Sequence, residues 1–251
     1  MTDSRPRVAV FRPDDERIER AANRLEALGA EPVPDPMLAV EPTGAAPRTG
    51  ADYTVLTSKT GVECAAEAGW HPDGTTICAI GPATADVLRE HDYPVDLVPG
   101  EYTSSGLVDA LRGEYDLDGA SVEVARSDHG SQVLLDGLEA AGATVTETVL
   151  YRLVRPANSG ESAELAARGD LDAACFTSSL TVEHFLEAAA ERGVRDAVAD
   201  ALDDLVVSAI GEPTAETAVE TGIDVDLVAS EATFETLARE TVDVLGERDR
   251  S

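Results

Sequence analysis

The chain has 251 residues, enough for one large domain or two small ones. Its 49 acidic residues outweigh 19 cations, a formal net charge of −30, which excludes a protein that grips nucleic acid or anionic lipid through clustered cations. With 43% hydrophobic residues it is no disordered acidic polymer, and no apolar run nears the roughly 20 residues of a membrane span. Residues 1–7 lack the apolar stretch of a signal peptide, so a cytoplasmic globular protein is expected.

In chain order, Arg7–Phe11 alternate as a short strand. The helix that follows places Ile18, Ala21, Leu25 and Leu28 on one face and ends at Gly29 in the C′ role. A second strand closes at Pro42. Tyr53–Leu56 is a short apolar run, as buried parallel strands are, and Thr57-Ser58-Lys59 leads from it into a helix. Ala79-Ile80-Gly81-Pro82 leads into another helix, followed by a strand at Asp96–Val98 and a helix holding Leu107.

The same order then returns. Arg7–Asp15 is echoed by Ser121–His129 at a shift of 114, and the closing prolines, Pro42 and Pro156, keep that shift. The second helix of this kind carries Leu134, Leu138 and Ala141 and ends at Gly142. Thr57–Glu63 matches Thr177–Glu183 at a shift of 120, and Ala79–Ala85 matches Ala209–Ala215 at 130. Asp96–Val98 and Leu107 match Asp226–Val228 and Leu237 at that last shift, and a longer helix around Val182 to Leu202 would absorb the extra residues. The chain therefore reads A (7–42), B (52–112), A′ (121–156) and B′ (172–245). An A joined to a B gives five strands alternating with helices, a doubly wound parallel α/β domain. Repetition alone leaves open whether A pairs with B or with B′.

In such sheets ligands bind beyond the carboxyl ends of the strands. Three loops per half lie there. They begin at Arg12 or Arg126, at Thr57-Ser58-Lys59 or Thr177-Ser178-Ser179, and at Gly81 to Thr84 or Gly211 to Thr214. Each leads into a helix whose first N–H groups are free to meet an anion. Facing loops from two such domains would build a cleft of N–H donors, hydroxyls and a few cations, suited to a ligand with many carboxylates. The plainer readings are helix caps for the hydroxyls and solvated strand ends for Arg12 and Arg126. Lys59 is the only lysine beside 18 arginines, and it stands in a candidate loop. Tyr151 falls opposite Met37 when the halves are aligned on their closing prolines. Its phenol either fills an interdomain contact or donates a proton to a leaving group.

Taken in order, Leu56-Thr57-Ser58, Ala79–Thr84, Pro99 through Ser105-Gly106-Leu107, Gly142-Ala143 leading to Tyr151-Arg152, Phe176-Thr177-Ser178 and Ile210–Thr214 make the chain resemble the uroporphyrinogen-III synthase family over nearly its whole length. The resemblance implies two similar flavodoxin-like domains joined by a two-stranded ladder. Domain one takes residues 1–37 and 156–251, domain two residues 42–150, and the ladder residues 36–42 and 149–156. It implies cyclisation of hydroxymethylbilane, a linear tetrapyrrole with eight carboxylates, to uroporphyrinogen III. Ring D is inverted through a spiro intermediate, water is lost, and no metal or organic cofactor takes part. By the same match Tyr151 assists departure of the hydroxyl. The substrate-binding candidates are Arg12, Ser58, Lys59, Thr84, Thr103, Arg126, Ser178, Ser179 and Thr214. A monomer is implied, with the small-molecule substrate as its only partner.

The other readings are a flavodoxin-like tandem that holds an anionic cofactor without catalysis, and a module that closes on an anionic ligand. Thr57–Gly61 faintly resembles a flavin phosphate loop, although Leu180 and Thr181 break the pattern in the second copy. Cys64, Cys78 and Cys175 have no CxxC spacing and the four histidines no HxxxH spacing, so neither disulfides nor a metal site is expected. Acidity spread along the chain, with arginine for lysine and 4% aromatics, reads as adaptation to a salt-rich cytoplasm. An acidic face for a basic partner is the rival reading.

Overall fold

The computed structural model describes residues 5–248. The chain begins β1 (Arg7–Phe11), α1 (Glu16–Ala27), β2 (Glu31–Pro34), β3 (Ala39–Pro42), β4 (Tyr53–Leu56), α2 (Lys59–Glu67) and β5 (Thr76–Ala79). It continues α3 (Pro82–Glu90), α4 (Ser104–Glu114), β6 (Ser121–Ser127), α5 (Gln132–Ala140), β7 (Thr144–Val154) and α6 (Glu161–Ala167). The last third is β8 (Ala173–Phe176), α7 (Ser179–Glu191), α8 (Arg195–Leu202), β9 (Val206–Ala209), α9 (Glu212–Glu220), β10 (Leu227–Val228) and α10 (Phe234–Arg248). Among the described residues no helix is long and apolar enough to cross a membrane.

Two compact units divide the chain. The first is Met1–Ala39 with Val154–Ser251, and the second is Val40–Leu153. The first unit carries a parallel sheet in the order β10-β9-β8-β1-β2. Counted along that unit, this is the 2-1-3-4-5 order of a doubly wound, flavodoxin-like sheet. The second unit has the order β3-β7-β6-β4-β5, with β7, β6, β4 and β5 parallel. Leu97 adds a single parallel bridge to Cys78, outside β5. Since β6 and β7 play the parts of β1 and β2, the second sheet has the same order, entered at a different strand. The fold class is the one expected, two doubly wound parallel α/β sheets, and A pairs with B′ while B pairs with A′.

Alternation along the strands builds the two faces of each sheet. Val8 and Val10 of β1 pack with Leu25 of α1 and Leu237 and Leu245 of α10. Ala9 and Phe11 point the other way, toward Phe176, Phe185 and Val198. Three of the four phenylalanines meet here, with ring centroids 4.7 Å apart for Phe11–Phe176 and 5.2 Å for Phe11–Phe185. In the second sheet Val122 and Val124 pack against Leu134 and Leu138 of α5, while Ala125 joins Val62 and Leu88 on the other side.

Duplicated side-chain bonds pin the strand starts. The Asp172 carboxylate accepts the Arg7 N–H at 2.7 Å, and the Asp52 carboxylate accepts the Ser121 N–H at 2.8 Å. Asp226 accepts the Val207 N–H at 2.8 Å, as Asp96 accepts that of Ile77 at 2.7 Å. The first unit is also tied across its chain break. The buried Asp35 carboxylate accepts the N–H of Gly160 at 2.8 Å, the N–H of Ser162 at 2.9 Å, and the Ser162 hydroxyl, capping α6 from 125 residues away.

Three expectations need correction. The second strand of A is split: β2 lies in the first sheet and β3 in the second. Pro34 and Pro36 carry no N–H for a ladder, so the strand stops where they begin, whereas β7 runs unbroken for 11 residues. The long helix of B′ is two helices, α7 and α8, parted at Gly193, whose φ of 69° no helix can hold. The third strand of B shrinks to the bridge at Leu97.

Candidate active site

In a 2-1-3-4-5 sheet the loops after the first and third strands leave on opposite sides, and the gap between them is the switch point where ligands bind. In the first unit those strands are β1 and β8, and in the second they are β6 and β4. Each unit has a cavity at that point.

The second unit's cavity has a volume of about 240 Å³ and is lined by Thr57, Ser58, Ser104, Arg126, Ser127, Ser131 and Tyr151, with Ile80 and Leu134 as apolar wall. Ser58 is the N-cap of α2. Its Oγ accepts the Gly61 N–H at 2.9 Å and the Tyr151 hydroxyl at 3.0 Å. The sequence placed these two residues 93 positions apart, and the fold joins them. A bulge aims the tyrosine: the register of β6 against β7 passes from Arg126 opposite Val149 to Ser127 opposite Tyr151, leaving Leu150 over. Leu150 and Tyr151 then pack in one cluster, where strict alternation would send them to opposite faces. Tyr151 is 7% exposed.

Arg126 lines the same cavity but is no free cation. It is 3% exposed, its Nε donates to Glu147 Oε1 at 2.6 Å, and its Nη1 donates to the Ser131 carbonyl at 2.5 Å. A Cβ at residue 130 would come within 2.6 Å of the arginine Nε, so Gly130 is what lets the side chain through. The solvated strand end is thus corrected to a buried brace between β6, β7 and the start of α5. Its desolvation is compensated by the carboxylate and carbonyl it meets.

The first unit's cavity holds about 450 Å³ and is lined by Arg12, Arg17, Thr177, Ser178, Thr181, Thr233 and Phe234 among others. Ser178 caps α7 in a full capping box with Thr181. Thr177 gives its hydroxyl to the Phe11 carbonyl at 2.5 Å. Arg12, the twin of Arg126, is half-buried, and its guanidinium lies 5.4 Å from the centre of the Phe234 ring. Its Nε is buried with no hydrogen-bond partner among the described residues. Burial, and next the guanidinium of Arg17, lower its pKa from the usual arginine value.

The remaining candidates lie elsewhere. Lys59 is exposed on the first turn of α2 and lines neither cavity. Thr103 caps α4 by accepting the Gly106 N–H at 3.0 Å. Ser179 donates to the Pro213 carbonyl at 3.0 Å and accepts from the Thr217 hydroxyl at 2.8 Å, stitching α7 to α9. Thr84 and Thr214 were expected to offer hydroxyls, yet both are buried on the packed faces of α3 and α9. Each sits third from the helix start, beside a buried alanine that faces the core. The residues that sequence reasoning missed are Ser127, Ser131, Arg17, Thr233 and Phe234. Only Arg17 had a visible signal, the spacing of Arg17, Arg20 and Arg24 along one helix. The Gly61 amide that a flavin phosphate loop would turn toward its ligand is bonded to Ser58 instead, which removes the ground for that resemblance.

The family described as uroporphyrinogen-III synthase HemD matches residues 19–239. A relative from Methanothermobacter thermautotrophicus, provisionally named a uroporphyrinogen-III synthase, is 37% identical over 180 residues, 68% of this chain and 70% of its own. The uroporphyrinogen-III synthase of Synechococcus elongatus is 27% identical over 232 residues, 86% of this chain and 87% of its own. Among solved structures, a mutant uroporphyrinogen III synthase of Thermus thermophilus aligns with TM-score 0.65 at 22% identity, over 96% of this chain and 99% of that one. The Helicobacter pylori enzyme aligns with TM-score 0.61 at 15% identity, over 95% and 99%. At these identities the two structures speak for the fold, while the family match and the relatives speak for descent. With two switch-point cavities on duplicated sheets and a match across most of its length, this chain belongs to the uroporphyrinogen-III synthase family.

Proposed function

We propose that this chain closes hydroxymethylbilane to uroporphyrinogen III, with inversion of ring D and loss of water. The observation that carries the reading is the Tyr151–Ser58 pair at the switch-point cavity of the second unit, in a chain of this family. The reaction breaks the carbon–oxygen bond of the hydroxymethyl group and bonds its carbon to the substituted α-carbon of ring D. The older bridge bond to that same carbon then breaks, and the bridge rebonds to the free α-carbon, so that one carbon–carbon bond is lost and two are formed. The hydroxyl leaves with a proton as water, and a proton is released from the formerly free α-carbon of ring D once the bridge has bonded there. No electrons are exchanged with a second reactant, so the chemistry asks for positioning and proton delivery. Tyr151 is the donor in this reading. Its hydroxyl donates to Ser58 at rest. Once the phenol's proton has gone to the leaving group, the Ser58 hydroxyl can turn to donate to the phenolate, and the proton released from ring D restores the phenol.

Arg12, Ser58, Ser178 and the helix starts behind them hold carboxylates of the substrate, since N–H groups and hydroxyls at helix N-termini favour anions. Lys59, Thr84, Thr103, Ser179 and Thr214 keep secondary places in the reading, and Arg126 braces the cavity. The domain limits of 1–37 with 156–251 and 42–150, with a ladder at 36–42 and 149–156, belong to the same proposal. So do a monomeric state and a salt-rich cytoplasm.

Incubation with hydroxymethylbilane, oxidation and separation of the porphyrin isomers test the activity. Isomer III in excess over isomer I is expected, and isomer I alone overturns it. Turnover is expected to be lower at low KCl, because the field of the −30 chain opposes a polycarboxylate most when it is unscreened.

A further inference from the structure

Beside the first unit's switch point lies a second concavity of about 310 Å³, lined by Arg12, Arg17, Arg20 and Arg24 with Ala21, Phe234 and Glu235. It shares Arg12, Arg17 and Phe234 with the switch-point cavity. Four of the 18 arginines therefore surround one hollow in a chain of net charge −30. Their local compensation is incomplete. Asp15 engages Arg17 through its Nε at 2.9 Å and its Nη2 at 2.5 Å, and Glu235 pairs with Arg24. Arg12 and Arg20 have no carboxylate partner among the described residues. The Nε of Arg12 is buried and unbonded, as is that of Arg24. Like charges facing each other with buried donors unsatisfied are costly, and an anion is what relieves both costs.

The floor matters as much as the walls. Ala21 and the ring of Phe234, the one phenylalanine outside the aromatic core, give an apolar surface beneath the guanidinium groups. A ligand that fits has a flat apolar body and short acidic arms. We propose that this basin is a specificity subsite that holds the carboxylate arms of one pyrrole of the substrate, with Arg20 and Arg12 as the receiving cations and Phe234 under the ring. The inference rests on the reading under Proposed function for the identity of the substrate, and on the hollow itself for the chemistry of the site.

Arg20 stands on the exposed face of α1, so its replacement leaves the core intact. The test compares wild type, Arg20→Gln, Arg20→Glu and the control Arg112→Glu, which makes the same charge change on α4. Two readouts are used: KM and kcat with hydroxymethylbilane, and direct calorimetric binding of mellitate, a benzene ring with six carboxylates. Expected for Arg20→Glu is a KM raised about tenfold with kcat within about twofold, mellitate binding weakened in parallel, and Arg20→Gln between. Arg112→Glu should match wild type in both. An active wild type whose KM is unmoved by Arg20→Glu overturns the inference, as does equal mellitate binding by wild type and variant. A wild type that makes no isomer III, yet binds mellitate in an Arg20-dependent way, overturns the substrate reading and leaves the carboxylate site standing.

Discussion

Replacing Tyr151 by Phe separates two roles by size. The substitution removes one hydrogen bond, 3.0 Å between the phenol and Ser58 Oγ. The ring stays, packed among Leu56, Ala125 and Leu150, so no cavity opens. Ser58 keeps its bond from the Gly61 N–H at 2.9 Å, so the cap of α2 survives. The structural cost is that of one neutral, partly buried hydrogen bond, about 1 kcal/mol, which lowers Tm by roughly 2–4 °C in a chain of this size. A lost proton donor costs a factor of about 10²–10⁴ in turnover, which is about 3–5 kcal/mol on the barrier. The two magnitudes do not overlap.

The assay is the initial rate of uroporphyrinogen III formation from hydroxymethylbilane, with the isomer ratio after oxidation and Tm by calorimetry. Tyr151→Phe is expected to lose at least about 100-fold in kcat, shift the product toward spontaneously formed isomer I, and melt within a few degrees of wild type. Ser58→Ala removes the same bond from the other side together with an N-cap and a substrate-binding hydroxyl, so it should cost about 1–2 kcal/mol more in stability and raise KM while keeping most of kcat. A Tyr151→Phe enzyme that retains wild-type kcat and isomer III removes the phenol from proton delivery.

Asp35→Asn should destabilise the first unit by about 2–4 kcal/mol, because an amide cannot accept from both Gly160 and Ser162 without turning its own N–H₂ toward a donor; an unchanged denaturant midpoint refutes that accounting. Glu123 is 1% exposed on the central strand β6, and neither carboxylate oxygen has a hydrogen-bond partner among the described residues. Glu123→Gln should therefore raise stability by about 1–2 kcal/mol, and a lowered Tm contradicts this. Burial pushes the thiols of Cys78 and Cys175 up to about 12, so both should resist a thiol reagent at about pH 8 until the protein is unfolded; rapid labelling of either in the native state would show the cores to be open.

Much of the fold is legible because duplication repeats physical needs. Asp96 and Asp226 stand in matching Asp-Leu-Val segments since each anchors the N–H of its neighbouring strand, at Ile77 and Val207. Gly29 and Gly142 end matching helices with φ of 90° and 93°. The site is less legible because twins diverge in their partners. Arg12 and Arg126 occupy the same place after the same strand, but Glu147 pairs with Arg126, whereas among the described residues no carboxylate comes within ion-pair distance of Arg12, Asp15 acting on it only from farther off. That difference is set by what β7 carries beside β6, which no local spacing reveals. The bulge that turns Tyr151 beside Leu150 is likewise a matter of register between two strands. Lys59 is the reverse case: rarity drew attention to it in the sequence, while its exposed place on the first turn of α2 lies outside the lining of both switch-point cavities.

The charge of the chain and the charge of its proposed ligand are reconciled by range. The 49 carboxylates are distributed along the whole sequence, so their repulsion of a polyanion is a long-range field of many small parts. Salt removes that kind of interaction first, since the Debye length is about 10 Å at 0.1 M and about 3 Å at 1 M. The attractive groups act at contact. Helix starts present N–H dipoles, and the half-buried Arg12 borders a concavity floored by Ala21 and Phe234. Partly buried charges are screened far less than exposed ones. Rising salt therefore subtracts the repulsion while sparing the grip, and an acidic surface becomes compatible with an acidic substrate only where cations are gathered in a hollow. Arginine suits that gathering better than lysine. Its planar fork binds carboxylates bidentately, it stacks on the Phe234 ring, and it keeps its proton when half-buried. The near-absence of lysine from this chain and the crowding of arginine on one face of α1 are then two expressions of the same demand.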